Sequence, residues 1–266
     1  MTVRAARGGT RVTDFIKDRL LFIAGPALLL GLWFAAAYSG RFSQLIVVPP
    51  NDVWAAFREL QESGELGVHL AQSFHRLLNG FAAGAALGLL WGALMAVSKN
   101  FAVAVAPVFN AVRQIPSVAF IPMLILILGI GETFKILIVA KAAFFPIALA
   151  SFDGIRAVSK AHLEVGKLYR LSLLAKIRYV ILPGALTDLL TGVRLGLGRS
   201  WGVLVAAELF AADFGVGQMM EAGRQLFRLD VVFVGVVIAG VIGFTLDRGL
   251  QLIERRLTRW SLPEAT

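Results

Sequence analysis

Long apolar runs alternate along this chain with short polar breaks, and the runs exceed what the strands or amphipathic helices of a water-soluble domain require. A polar, basic start at 1–19 leads into an apolar run at 20–38. After a more polar stretch come runs at 74–97, 101–128, 134–152, 185–210 and 231–253. A bilayer-crossing helix needs about 20 apolar residues, so the pattern predicts an all-α, polytopic transmembrane helical bundle of about six spans. Pro107, Pro116 and Pro122 fall inside the third run, which therefore cannot be one straight helix. Ser98-Lys99-Asn100 separates the second and third runs, and Gly129 to Glu132 forms a turn before the fourth. In the polar stretch after the first run, Asn51 or Asp52 is placed to cap a short helix through Leu60.

The basic start and first apolar run resemble a secretion signal, with Ala35-Ala36-Ala37 in the position of a cleavage site. Because the run is longer than the roughly 7–15 residues of a signal core and further spans follow, an uncleaved first helix is expected.

Composition agrees with lipid as solvent. Of the 266 residues, 58% are hydrophobic and 16% charged, and the mean hydropathy is +0.76; soluble domains carry about 25% charged residues. The net charge of +9 matters through its placement rather than its sum, and calls for no nucleic acid. With both termini cytoplasmic, the inner segments hold Arg4, Arg7, Arg11, Lys17, Arg19, Lys99, Arg156, Lys160, Lys167, Arg170, Lys176, Arg178, Arg255, Arg256 and Arg259. The outer segments hold only Arg41, Arg58, Arg224 and Arg228. That asymmetry predicts both termini inside. The domains expected are a cytoplasmic N-terminal segment (1–19), a membrane domain (20–253) with a cytoplasmic loop at 153–183, and a cytoplasmic tail (254–266).

The chain has no cysteine, which removes disulfides, thiolate metal sites and thiol nucleophiles. His69, His75 and His162 are scattered without ligand spacing, and no GxxxxGK[ST] phosphate loop is present. No metal site, catalytic group or cofactor is expected on this chain.

Three features carry functional expectations. Gly80, Gly84, Gly88 and Gly92 share one helix face, as do Gly192 and Gly196, where they permit close backbone approach; the seam is either static packing or a surface that slides. Arg113, Lys141, Arg194, Arg199 and Glu208 lie in or near spans, where charges face a cavity or a partner. Arg194, Trp201, Val205 and Glu208 fall on one helical face. They line a pathway, or Arg194 snorkels to the inner surface and Glu208 joins helices near the outer one. Lys141, near the middle of its span, has a structural ion pair or a binding role. The third feature is the loop at 153–183. Leu163, Val165, Leu168, Leu171, Leu174, Ile177 and Val180 recur among Lys and Arg, as in a short helix pair with one apolar face. A simple connector would be shorter and more polar, so this face docks on a partner or lies on the lipid surface.

The same loop resembles the EAA loop of bacterial ABC importer permeases: Glu-Ala-Ala, three residues, Gly, nine residues, then Ile-x-Leu-Pro. Glu164 takes the Glu position, Val180 the Ile position, and Leu182-Pro183 end the motif. The flanks resemble the nitrate/sulfonate/taurine/bicarbonate class of these binding-protein-dependent inner membrane components. The resembling stretches are Arg113-Gln-Ile-Pro-Ser-Val-Ala, Gly129 to Glu132, Thr191-Gly-Val-Arg-Leu, Trp201 and Ala207 to Leu209, within about Val48 to Gly243. The resemblance implies a type I importer fold in the bacterial inner membrane and a homodimer on two copies of a separate ATPase that binds ATP and Mg. It also implies a solute-binding protein outside and a small, anionic solute moved by alternating access.

It further implies an ATPase-coupling loop of Glu164, Gly166, Arg170, Leu171, Ser172, Leu174, Ala175, Arg178, Leu182 and Pro183, with a coupling helix at about Leu171 to Tyr179. Its pathway residues would be Arg113, Pro116, Lys141, Arg199, Trp201 and Glu208. The chain departs from the motif at Val165 and Gly166, where the family has Ala-Ala, and at Arg170, where it has glycine. Arg170 would resist the positive φ of that turn, so either the turn is built differently, with Gly166 supplying slack, or coupling is altered. Two other classes stay open from the residues alone. One is a secondary transporter or channel that works without ATP. The other is a membrane-embedded enzyme, for which no convergent acid, base or metal set is visible.

Overall fold

The computed structural model describes residues 9–41 and 47–259, with side chains from Ala24 onward. Among these residues the regular structure is helical throughout: α1 (Gly9–Tyr38), α2 (Pro50–Glu62), α3 (Glu65–Val97), α4 (Lys99–Gln114), α5 (Ile121–Leu128), α6 (Glu132–Ala157), α7 (Lys160–Leu168), α8 (Leu173–Lys176), α9 (Leu182–Phe210), α10 (Val216–Gln225) and α11 (Leu229–Leu257). Four helices are long and apolar enough to cross a membrane: α3, α6, the unbroken run Leu173–Phe210, and α11. The bent pair Lys99–Gln114 and Ser117–Leu128 makes a fifth, and α1 adds a shorter apolar stretch, Ala24–Tyr38. About six spans is consistent with this set.

The break in the third run follows from Pro116. A residue before proline is pushed out of the helical region, and Ile115 sits at φ −73, ψ 120, ending α4. The chain restarts as a 3-10 turn over Ser117–Phe120 and as α5, with Pro122 in its first turn. The two halves meet at 91°. Gly129, at φ 75, then closes α5.

Several boundaries move. The helix of the second run begins at Glu65 rather than Phe74, and the fourth reaches Ala157, so residues 153–157 of the expected loop are helical. Pro183 does not end the loop before a new helix; α8 passes through a π turn (Ile177–Ile181) directly into α9. Proline has no N–H to donate and its ring crowds the preceding turn, and the π turn is the wider winding next to it. No side chain caps α2; Pro49 and Pro50 start it, in place of the expected Asn51 or Asp52.

The core is α6 held between α3 and α9. A Cβ on Gly80 would sit 2.6 Å from Val139 Cβ, and one on Gly88 2.8 Å from the Phe144 carbonyl. At Gly84 and Gly92 it would fall on the carbonyls of Ala140 and Ala148. On the other side Gly192 meets Ala150, and Gly196 meets Ile147. These pairings run α3 parallel and α9 antiparallel to α6. At Gly80, Gly84, Gly88, Gly92 and Gly192 the helices thus approach closer than a larger residue allows. Around this contact Leu77, Ile121, Phe134, Ile138, Trp201 and Leu204 form the main apolar cluster. α11 packs on α9, also antiparallel. Its polar contacts are Trp201 Nε1 to the Ala239 carbonyl (2.9 Å), Arg194 to Asp247 (2.6 and 3.1 Å) and Thr191 Oγ1 to Glu254 (3.3 Å). The C-terminal ends of α3, α6 and α11 and the N-terminal end of α9 therefore share one end of the bundle, from which residues 158–181 project.

Candidate functional site

The projecting hairpin is built from local rules. α7 ends with Arg170 N–H donating to the Lys167 carbonyl (2.9 Å) and Leu171 N–H to the Gly166 carbonyl (3.0 Å), the paired bonds of a Schellman closure. That closure needs a left-handed residue between them, and Arg170 supplies it at φ 48. The expectation that Arg170 would resist this geometry is therefore overturned. The turn stands where the family glycine would stand, and Gly166 stays helical instead of giving slack. Left-handed backbone costs a non-glycine residue roughly 1–2 kcal/mol. The two closure bonds and the packing of Leu171 and Val180 over Gly166 offset it: a Cβ there would lie 3.7 Å from each.

Ser172 Oγ then accepts from Ala175 N–H (3.3 Å) and caps α8. The expected coupling helix at Leu171 to Tyr179 is thus a capped turn, α8, continuous with the fifth span. Its outer face is apolar and open: Leu168, Leu173 and Leu174 are at least 75% exposed, with Val165, Tyr169 and Tyr179 beside them. Glu164, Leu182 and Pro183 are exposed, Ala175 is half-buried, and Arg178 lies over the Tyr179 ring.

Four of the six residues expected along a pathway come together. Arg113, Pro116, Lys141 and Arg199 line one cavity of about 350 Å³ with Ser117, where α4 breaks against α6 and α9. Arg113 and Arg199 also line an adjoining cavity of about 410 Å³ that reaches Asp153 and Asp188 near the hairpin end. Lys141 Nζ lies 3.3 Å from Ser117 Oγ, 3.5 Å from the Ile115 carbonyl and 4.1 Å from the Phe120 ring centre. No carboxylate lies within ion-pair distance of Arg113, Lys141 or Arg199 among the described residues. The ion pair considered for Lys141 is absent from that set.

Trp201 and Glu208 do not line this space. Trp201 is 5% exposed and ties α9 to α11. Glu208 is 1% exposed and accepts from Ser73 Oγ (2.8 and 2.9 Å), Arg76 Nη1 (2.9 Å) and Gly217 N–H (3.1 Å). It is a structural carboxylate at the N-terminus of α10, where the helix dipole favours negative charge. Ser73 Oγ and His69 Nδ1 accept from Val216 N–H (2.9 Å) and Gly215 N–H (3.0 Å). Arg76 also grips Glu132 (2.6 and 2.8 Å), which accepts from Lys135 Nζ at 2.9 Å. Arg194, for its part, is paired with Asp247 rather than snorkelling free.

The reading of the residues missed Ser73, Arg76, Glu132, Lys135 and Asp247. The available signal was a charge in each apolar stretch: Arg76 just inside the second run and Asp247 within the last. Among the described residues no three His, Asp or Glu converge to hold a metal ion.

An α-helical bundle of this topology, with charges lining an internal cavity and an apolar hairpin at one end, has the parts of a transport permease. The family model described as "Binding-protein-dependent transport system inner membrane component" matches residues 84–259, and the chain belongs to that family. It is 38% identical over 252 residues to the "Putative aliphatic sulfonates transport permease protein SsuC" of Bacillus subtilis, covering 95% of this chain and 90% of that one. It is 34% identical over 245 residues to the "Taurine transport system permease protein TauC" of Escherichia coli, at 90% and 89% coverage. In fold it is similar to a chain of an amino acid ABC transporter crystal structure, with TM-score 0.61 and 17% identity over 75% of this chain and 97% of that one. The protein is an ABC importer permease of the sulfonate, taurine and nitrate class, a multi-pass component of the inner membrane.

Proposed function

We propose that this chain moves a small organic anion of the sulfonate type across the inner membrane, paired with a second copy of itself and driven by two copies of a separate ATPase that binds ATP and Mg. The observation that carries the anion is the cavity shared by Arg113, Lys141 and Arg199. Charges inside a membrane bundle normally pair or face a functional cavity; among the described residues these cations have no carboxylate within ion-pair distance, while the others named in the spans, Arg76, Lys135 and Arg194, do. The relatives named for aliphatic sulfonates and taurine support the same class.

The hairpin end faces the cytoplasm in this reading, since Lys99, the basic hairpin, Arg255 and Arg256 gather there. The exposed apolar face of α7 and α8 docks the ATPase. Because α8 continues into α9, a rigid displacement of the docked turn reaches Arg199 without a flexible joint. ATP on one side and a loaded binding protein on the other then bias the same two-state bundle.

Uptake of radiolabelled ethanesulfonate into proteoliposomes holding the full transporter tests the cavity. Arg113→Gln with Arg199→Gln is expected to lower uptake at least about tenfold while ATPase assembly persists. Undiminished uptake by the double variant would remove the cavity from the pathway.

A further inference from the structure

A second left-handed turn lies at the opposite end of the bundle. α10 closes on Phe227 at φ 56. Phe227 N–H donates to the Arg224 carbonyl (3.3 Å) and Arg228 N–H to the Gly223 carbonyl (2.8 Å), the same closure that Arg170 makes. A bulky aromatic is among the least suited residues for that backbone. Its ring gains little packing from the described residues in return: Phe227 is 88% exposed and Leu226 beside it 72%, and neither belongs to an apolar cluster among those residues. Strained, exposed residues of this kind gather at functional surfaces.

We infer that Leu226 and Phe227 form an apolar knob that docks the solute-binding protein. This rests on the permease reading above, and on the binding-protein dependence printed in the family description. The surroundings favour a water-soluble protein over lipid. Arg228 holds both oxygens of Glu59 at 2.7 Å and Asp230 at 2.7 Å, and Arg224 pairs with Glu221. Such a ring of charges keeps the knob out of hydrocarbon. It also reproduces the layout of protein interfaces, an apolar or aromatic centre with a polar rim. Beside the knob opens a cleft of about 130 Å³ lined by Glu65, His69 and Gln218 as well as Leu226, a place for a polar side chain of the partner. Gly223 keeps the turn low, since a Cβ there would lie 3.0 Å from the Arg228 carbonyl and 3.1 Å from Val231.

The test uses the reconstituted permease, its ATPase and its purified binding protein. Phe227→Ser is expected to raise the binding-protein concentration giving half-maximal uptake about tenfold, with the rate at saturating binding protein and the basal ATP hydrolysis retained. Phe227→Gly, which keeps the turn and relieves its backbone, is expected to show the same defect, and Phe227→Tyr to restore the native value. Because the chain has no cysteine, Phe227→Cys carrying a benzophenone gives one defined probe, expected to cross-link to the binding protein. An unchanged half-maximal concentration in the Ser and Gly variants overturns the proposal, as does cross-linking only to lipid or to the second permease. The permease reading stands or falls separately, on whether saturating binding protein and ATP drive any uptake at all.

Discussion

The two ends of the bundle close a helix with the same pair of bonds and surround it with opposite chemistry. At the hairpin end Arg170 turns the chain beneath an open apolar face, Leu168, Leu173 and Leu174, and among the described residues no buried charge stands behind it. At the far end Phe227 turns the chain beside a knot of charges, in which Arg76, Glu208 and Lys135 are each at most 2% exposed and satisfied by one another, by Ser73, by Glu132 and by the start of α10. An exposed apolar surface gains by acquiring a cover; a buried ionic knot loses whenever one member is withdrawn. In the proposed reading the hairpin end therefore engages and releases a partner, while at the far end the buried charges behind the exposed knob hold α3, α6, α9 and α10 in fixed register.

The contrast breaks most visibly at Arg76. Its removal leaves Glu208 buried without a counter-charge, and breaking a buried pair in this way costs about 3–5 kcal/mol. Arg76→Met should lower the thermal midpoint of the detergent-solubilised protein sharply. Arg76→Met with Glu208→Gln should lower it by less than the two single changes summed. Additive losses would mean that the pair does not act as a unit.

A smaller effect sharpens the likeness of the two turns. Arg170→Gly removes a left-handed backbone penalty of roughly 1–2 kcal/mol and adds chain entropy of about 0.4–1 kcal/mol to the unfolded state. Glycine at this position should leave stability unchanged or raise it slightly, read as a thermal midpoint at or just above the native one. A clear loss would show that the guanidinium itself holds the hairpin.

The smallest effect is in pH. Hydrogen bonds from Arg228 and Arg224 hold the Glu59 and Glu221 carboxylates below the usual range, Glu221 at about 2. Both folded values lie below the unfolded carboxylate value of about 4.3. The stabilisation from these groups is therefore complete above that value and fades as pH falls through the folded ones. Thermal midpoints measured between pH 8 and 3 should show Glu221→Gln matching its parent more closely at the acid end than at pH 7. A gap that widened on acidification would reverse the sign.

Much of the architecture could be read in the chain because it rests on near-neighbour rules. Pro116 had to break its helix, and a glycine at every fourth place from Gly80 to Gly92 had to meet another backbone. What escaped reading was long in range or depended on a specific contact. Arg76 and Glu208 are 132 residues apart, and nothing local to either names the other. Trp201 and Glu208 shared a helical face with Val205, but periodicity gives a face and not what it faces: here α11 and the start of α10 instead of the cavity. Arg170 was misjudged because residue preference argues against φ 48, whereas Leu171 and Val180 folding over Gly166 fixes the turn. Arg113, Lys141 and Arg199 were legible as charges out of place. That they share one cavity depended on the angle at Pro116.

The claim that drive enters through the hairpin is tested most directly by ATP-dependent uptake in the full transporter carrying Leu174→Asp. Leu174 is 75% exposed, so the substitution leaves the fold and thermal midpoint unchanged. The account predicts that the ATPase no longer co-purifies and that ATP-driven uptake is lost. Native uptake with the ATPase still bound, or uptake that continues without it, would contradict the account.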